Sequence, residues 1–119
     1  MEQSLYERLG GRDRIAAIVS DLTDLHMDNP AIRTRFLRYD PAEVKRKATE
    51  FMCMGTGGPE TYTGQGLVKT HEGMNINADE FLAVMDDLAI VLEKHGVGAR
   101  ERQEIVTTFM DLRKEVLHL

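Results

Sequence analysis

The chain has 119 residues, enough for one well-formed core and too few for two domains. Apolar residues make up 42% and charged ones 29%, an ordinary globular composition, and the net charge of −5 with scattered basic residues speaks against a nucleic-acid partner. The one cysteine, Cys53, cannot close an intramolecular disulfide, and no stretch approaches the ~18 consecutive apolar residues of a membrane span. A cytosolic protein with no membrane partner is therefore expected.

The elements follow from spacing. Leu5, Tyr6 and Leu9 support one or two helical turns over residues 4–9, and Gly10-Gly11 supply the freedom for a sharp reversal. Over residues 12–28, Ile15, Ile18, Val19, Leu22 and Leu25 fall at helical intervals, and Asn29-Pro30 ends the run. A short turn over 31–37 is expected to bury Ile32 and Phe36. Asp40-Pro41-Ala42-Glu43 reads as a helix start, with a capping acid, a first-turn proline and an acid at the capping-box position. That helix shows Val44, Ala48 and Phe51 on one face, and Gly55, Gly57, Gly58 and Pro59 stop it.

A glycine-rich connection follows. Gly64, Gly66 and Gly73 bracket a segment too short for an ordinary helix, with His71 in its last turn. Asn77-Ala78-Asp79-Glu80 repeats the capping logic, and Phe81, Leu82, Val84, Met85, Leu88, Val91 and Leu92 form a wide apolar face ending at Gly96. A last helix over about 99–117 is expected to bury Ile105, Val106, Phe109, Leu112 and Val116. No run alternates with period two, so the fold class is all-α.

Several chemistries lack their residues. There is no paired-cysteine spacing and no His-Glu-x-x-His for zinc, and the glycines after residue 54 follow a helix rather than a strand, which fails a phosphate loop. Ser4 and Ser20 have no evident base and Cys53 no neighbouring histidine, so no catalytic residue is assigned. Asp86 and Asp87 read as a solvated helix face, and His95 and His118 as surface residues. His71 is different. A histidine near a helix end is commonly a cap or solvated, but a brief helical turn held between loops and facing long amphipathic helices can present one imidazole to a buried cofactor.

Taken together, Ser4-Leu5-Tyr6-Glu7-Arg8-Leu9-Gly10-Gly11, Pro30 then Phe36, Gly57-Gly58-Pro59, Tyr62-x-Gly64, and Thr70-His71-Glu72-Gly73-Met74-Asn75-Ile76 with Phe81 resemble the truncated haemoglobins of group I. The match runs from about residue 4 to residue 97 and reaches the last helix by pattern. The resemblance implies a two-over-two helical sandwich around one haem b. The helices starting at Arg12 and Asp40 would lie over those starting at Asn77 and Ala99. It makes His71 the proximal iron ligand and Phe36 the ring wedged against the porphyrin. Phe51, Leu67, Val68, Ile76, Phe81, Met85 and Leu88 become pocket lining, a role that plain core packing satisfies equally well. Lys47, Lys69 and Thr70 are candidates for the propionates.

The distal side departs from the family pattern. Aligning on Pro30 puts Thr23 where group I members commonly carry tyrosine, and aligning on Gly57-Gly58 puts Val44 and Ala48 at two glutamine positions. The usual donors are mostly missing, and the Thr23 hydroxyl can satisfy itself on the carbonyl a turn earlier. Lys47 either reaches a propionate or water, or coordinates the iron as a sixth ligand after losing its proton. His26 could approach the pocket, although a cation near a helix C-terminus is the simpler account. The resemblance thus implies reversible binding of a diatomic gas: oxygen, carbon monoxide or nitric oxide. The alternatives are a nitric oxide dioxygenase served by a reductase, a six-coordinate redox or sensor protein using Lys47, and a haem-free helical interaction module. Oligomeric state is not readable from the sequence.

Overall fold

The structure, a computed structural model, describes residues 3–64 and 66–118. Gln65, within the glycine-rich connection, lies outside the described residues. Helix α1 (Leu5–Arg8) is capped by the Ser4 hydroxyl, which accepts the Glu7 amide at 3.1 Å. Gly10 and Gly11 then turn the chain with φ of +100° and +83°, a region that disfavours side chains. Helix α2 (Arg12–Asp28) keeps the expected bounds and buries Ile15, Ile18, Val19 and Leu22.

A 3₁₀ turn (Arg33–Phe36) leads to α3 (Pro41–Gly55). The Asp40 side chain caps α3 through the Ala42 amide, but Glu43 does not complete a capping box. Its carboxylate is drawn instead to Arg46, 3.0 Å away, because an ion pair one turn along is within easier reach. The short helix α4 (Leu67–His71) is followed by α5 (Ala78–Lys94), whose capping box is reciprocal between Asn77 and Glu80. Helix α6 (Ala99–Asp111) ends six residues before the periodicity suggested, and a 3₁₀ turn (Arg113–Glu115) follows. The chain is pulled out of the helix so that His118 can donate its amide to the Ile76 carbonyl at 2.9 Å, beside an isolated Ile76–Leu117 bridge. Of the five apolar positions expected in the α6 interior, Ile105 alone is fully buried.

Helices α2 and α3 form one pair and α5 and α6 the other, and the pairs meet where α2 packs on α5. The core sits at that crossing, among Ile15, Ile18, Cys53, Leu88 and Leu92, each fully buried. Arg8 ties α1 to α6 by bonds to Glu101 at 3.1 Å and Glu104 at 2.9 Å. Among the described residues no strand forms, and no helix is long and apolar enough to cross a membrane.

Candidate functional site

The site is built from α4 upward. His71 is the last residue of this five-residue helix and is half-buried. Its Nδ1 lies 2.8 Å from the Leu67 carbonyl oxygen, one turn back. A carbonyl can only accept, so Nδ1 carries a proton and donates it, and in the neutral ring the lone pair is on Nε2. A hydrogen bond at the far nitrogen also fixes ring orientation and raises the basicity of a metal-binding imidazole. Among the described residues no group of three or more His, Cys, Asp and Glu gathers to hold a metal ion. A metal taken by His71 has to bring its remaining ligands with it, as a macrocycle does.

The surroundings suit a large apolar guest. Helix α3 turns Thr49, Met52 and Cys53 into the core but leaves Val44, Ala48 and Phe51 half-buried. Leu67, Ile76 and Met85 are half-buried in the same way. Helices α3 and α5 both pack on α2, yet α3 makes no extensive contact with α4 or α5. Apolar surface held open in this way would gain roughly 25 cal/mol per Å² on being covered. A cavity of about 280 Å³ opens between α3 and α6, lined by Phe51, Met52, Phe109 and Leu112 among others. A second hollow of about 380 Å³ lies between α5 and α6 and touches none of the expected site residues. Phe51 is propped by Tyr62, edge-on with ring centres 5.2 Å apart. A side chain at position 64 would strike that tyrosine ring, so Gly64 is what lets the ring fold back over the chain.

Residues 4–118 match the family described as bacterial-like globin. The chain belongs to the bacterial-like globin family. A group 1 truncated hemoglobin of Tetrahymena pyriformis is 29% identical over 97% of this chain and 95% of its own. The group 1 truncated hemoglobin GlbN of a Nostoc species is 24% identical over 97% and 98%. The solved Fe(III) form of the Tetrahymena pyriformis truncated hemoglobin superposes with a TM-score of 0.93 at 28% identity, covering 98% of this chain and 100% of that one. A 2/2 hemoglobin of a Synechococcus species, in the cyanomet state with covalently attached heme, gives 0.90 at 25% identity, covering 97% and 98%. The globin is therefore a truncated haemoglobin of group I with the two-over-two fold, and its family implies haem-based gas binding in general.

On the globin's expected site residues the structure is specific. Phe81 and Leu88 are closed into the interior, whereas Val68 is 50% exposed. Lys47, Lys69 and Thr70 are exposed, with Glu43 near Lys47. Thr23 is 4% exposed. Its hydroxyl had two uses open to it, a donor to the guest or a bond to the carbonyl a turn earlier, the second being what Thr49, Thr56 and Thr108 do at 2.7–2.9 Å. No such bond forms at Thr23, although its neighbours are all described.

Two expectations are overturned. His26 lies in the last turn of α2 as expected, but not as a plain helix-end cation: it is 8% exposed, and its Nδ1 lies 2.8 Å from Asp87 Oδ2. Burial lowers its pKa below the usual histidine value, while the Asp87 carboxylate opposes the shift. Asp87 is not on a solvated face either, since it is 4% exposed and also accepts the Asn29 amide at 3.2 Å. The signal was available in the spacing. Asp87 lies four residues before Val91 and three after Val84, on the apolar side of α5, and a carboxylate there needs a partner.

His95 is likewise more than a surface residue. It is half-buried and its Nε2 meets Asp21 Oδ2 at 2.7 Å, which together with Lys94 holds the Asp21 carboxyl below its ordinary range. Sequence reasoning also missed Arg35. Its guanidinium grips Glu80 at 2.6 and 2.7 Å and the Met74 carbonyl at 2.7 Å, fastening the Phe36 turn to the segment after His71.

Proposed function

We propose that this globin holds haem b through His71 and reversibly binds a diatomic gas in a pocket whose far side offers few hydrogen-bond donors. The single observation that carries the reading is the bond from His71 Nδ1 to the Leu67 carbonyl, which reserves Nε2 for a metal. Bound haem would supply an iron centre able to take oxygen, carbon monoxide or nitric oxide.

The chain supplies the rest. Phe36, Phe51, Leu67, Val68, Ile76 and Met85 would cover the apolar macrocycle, with Phe81 and Leu88, both buried, completing the lining. Lys47, Lys69 and Thr70, all exposed, would meet the carboxylate edge of the macrocycle with donors that also reach water. Val44 and Ala48 have no donor to give. The Thr23 hydroxyl, not spent on its own helix, is the polar group left for the guest. A missing hydrogen bond to a polar guest is worth roughly 1.5–3 kcal/mol. That corresponds to gas release faster by roughly one to two orders of magnitude, at 1.4 kcal/mol per tenfold.

The test is reconstitution with haemin, followed by absorption spectra of the ferric and ferrous protein with and without carbon monoxide. His71→Gly should lose the haem spectrum, and added imidazole should restore it. A wild-type protein that stays colourless, or a His71→Gly protein with an unchanged spectrum, overturns the reading.

A further inference from the structure

Behind Phe36 lies a buried polar assembly that gas binding by itself does not require. The His26 ring stacks on Phe36 with centres 5.9 Å apart and planes 18° from parallel. Asp87, reaching across from α5, accepts from His26 Nδ1 at 2.8 Å and from the Asn29 amide at 3.2 Å. Because the carboxylate only accepts, it sets His26 with its proton on Nδ1 and so selects one face and one tilt of the imidazole.

Asn29 is joined in turn to the path toward Phe36. Its side-chain oxygen accepts the Ala31 amide at 3.0 Å, and its carbonyl accepts the Ile32 and Arg33 amides at 3.0 and 2.7 Å. One acid therefore holds both the ring against which Phe36 lies and the side chain of the residue that opens its turn. The opposite end of the turn is fastened separately, by Arg35 to Glu80 and the Met74 carbonyl. The turn would stay in place without the Asp87 cluster. What it would lose is the defined attitude of the ring.

A buried acid, imidazole and amide at 4%, 8% and partial exposure carry a desolvation cost that an apolar trio of the same shape would avoid. The arrangement gives in return a defined geometry, since both donors converge on the one Asp87 carboxylate.

We propose that Asp87, His26 and Asn29 form a positioning cluster that sets the tilt of Phe36 and, through that ring, the seating of the haem. None of the three touches the cofactor in this proposal. It rests on the reading of Phe36 as haem-facing, so its test has one arm that uses no haem.

Protein labelled with para-fluorophenylalanine carries four fluorine signals, from Phe36, Phe51, Phe81 and Phe109. Phe36→Leu identifies the first. In the haem-free protein, Asp87→Asn and His26→Gln should each shift or broaden the Phe36 signal and leave the other three in place. Asp86→Asn, on the neighbouring exposed acid, should leave all four unmoved, and Cys53→Ala, which loosens the core that Phe109 packs against, should leave the Phe36 signal in place. In the reconstituted protein, the two cluster variants should pass haem to a scavenging apo-globin several-fold faster than wild type, with the His71-dependent spectrum intact.

A Phe36 signal indifferent to both cluster variants, or one moved equally by Cys53→Ala, overturns the positioning role. If Asp87→Asn fails to fold, His26→Gln decides, because it retains the bond from Asn29 to Asp87. A shifted signal with unchanged haem transfer overturns the step from ring to haem. A wild-type protein that takes no haem removes the reading of Phe36 and that step with it, while the fluorine arm still decides the cluster.

Discussion

The ends of α2 and α4 each present a histidine with Nδ1 hydrogen-bonded at 2.8 Å, and they do opposite things. His71 is half-buried on a five-residue helix, and its partner is the carbonyl of its own preceding turn. His26 is buried at the end of a seventeen-residue helix, and its partner is a carboxylate 61 residues away. A neutral local acceptor orients the ring and leaves the other nitrogen for chemistry. A remote carboxylate makes the ring part of a cross-link between α2 and α5. The partner and the depth decide the role, and residue type does not.

The largest expected effect separates the two sites by what each loses. His71→Gly should weaken haem affinity by more than the roughly 10–100-fold typical of losing a supporting hydrogen bond at a metal site. Haem titration measures it. The same substitution should leave the haem-free fold nearly as stable, apart from the roughly 1 kcal/mol that glycine costs near a helix end. Asp87→Ala should do the reverse. A buried and a half-buried donor lose their acceptor, for a loss of about 3 kcal/mol in denaturant unfolding of the haem-free protein. Asp86→Ala next door, on an exposed side chain, should stay within about 0.5 kcal/mol.

Acid should find the His26 site first. Its folded pKa lies below the ordinary 6.5 because burial dominates over Asp87. Between those two values the unfolded chain binds a proton that the folded chain does not, so stability rises with pH and falls on acidification from about 6.5 downward. Glu80, held low by Arg35, and Asp21, held low by His95 and Lys94, have the carboxylate sign. Their contributions are complete above the ordinary values of 4.5 and 3.8 and fade as pH falls through the lowered ones. Unfolding followed against pH should therefore show two stages. His26→Gln should remove the upper stage alone, and a single stage in the wild type would break the contrast between the histidines.

Two smaller effects sharpen it. Val44→Gln would place an amide donor on the half-buried face of α3, and gas release measured by flash photolysis should slow about tenfold, a gain of roughly 1.4 kcal/mol. Arg35→Lys keeps the charge but cannot reproduce the paired bonds to Glu80 with the third to Met74, so a loss of about 1 kcal/mol is expected. Thermal unfolding checks the second.

Local rules carried the elements well. The apolar spacing of α2, the capping at Asp40 and Asn77, and the glycine stops at residues 10, 11 and 57 each act within a few residues, so the chain states them directly. The end of α6 was misjudged because apolar residues continue with helical spacing through Val116, and only a bond to distant Ile76 draws the chain away. The candidate ligand was readable because His71 sits between glycines in a stretch with its own order of motifs. Lys47 and Lys69 could be placed on the surface but not paired, since a long side chain goes where its neighbours allow.

By itself, then, the sequence determined an all-helical chain, its breaks, and one imidazole singled out by its setting. The tertiary structure alone decided which polar groups would be buried together: His26 with Asp87 and Asn29, and Arg35 with Glu80 and Met74. Helix formation is dictated by contacts one turn apart. The partner of a buried charge is dictated by which helices cross, and that choice is made by the whole core at once.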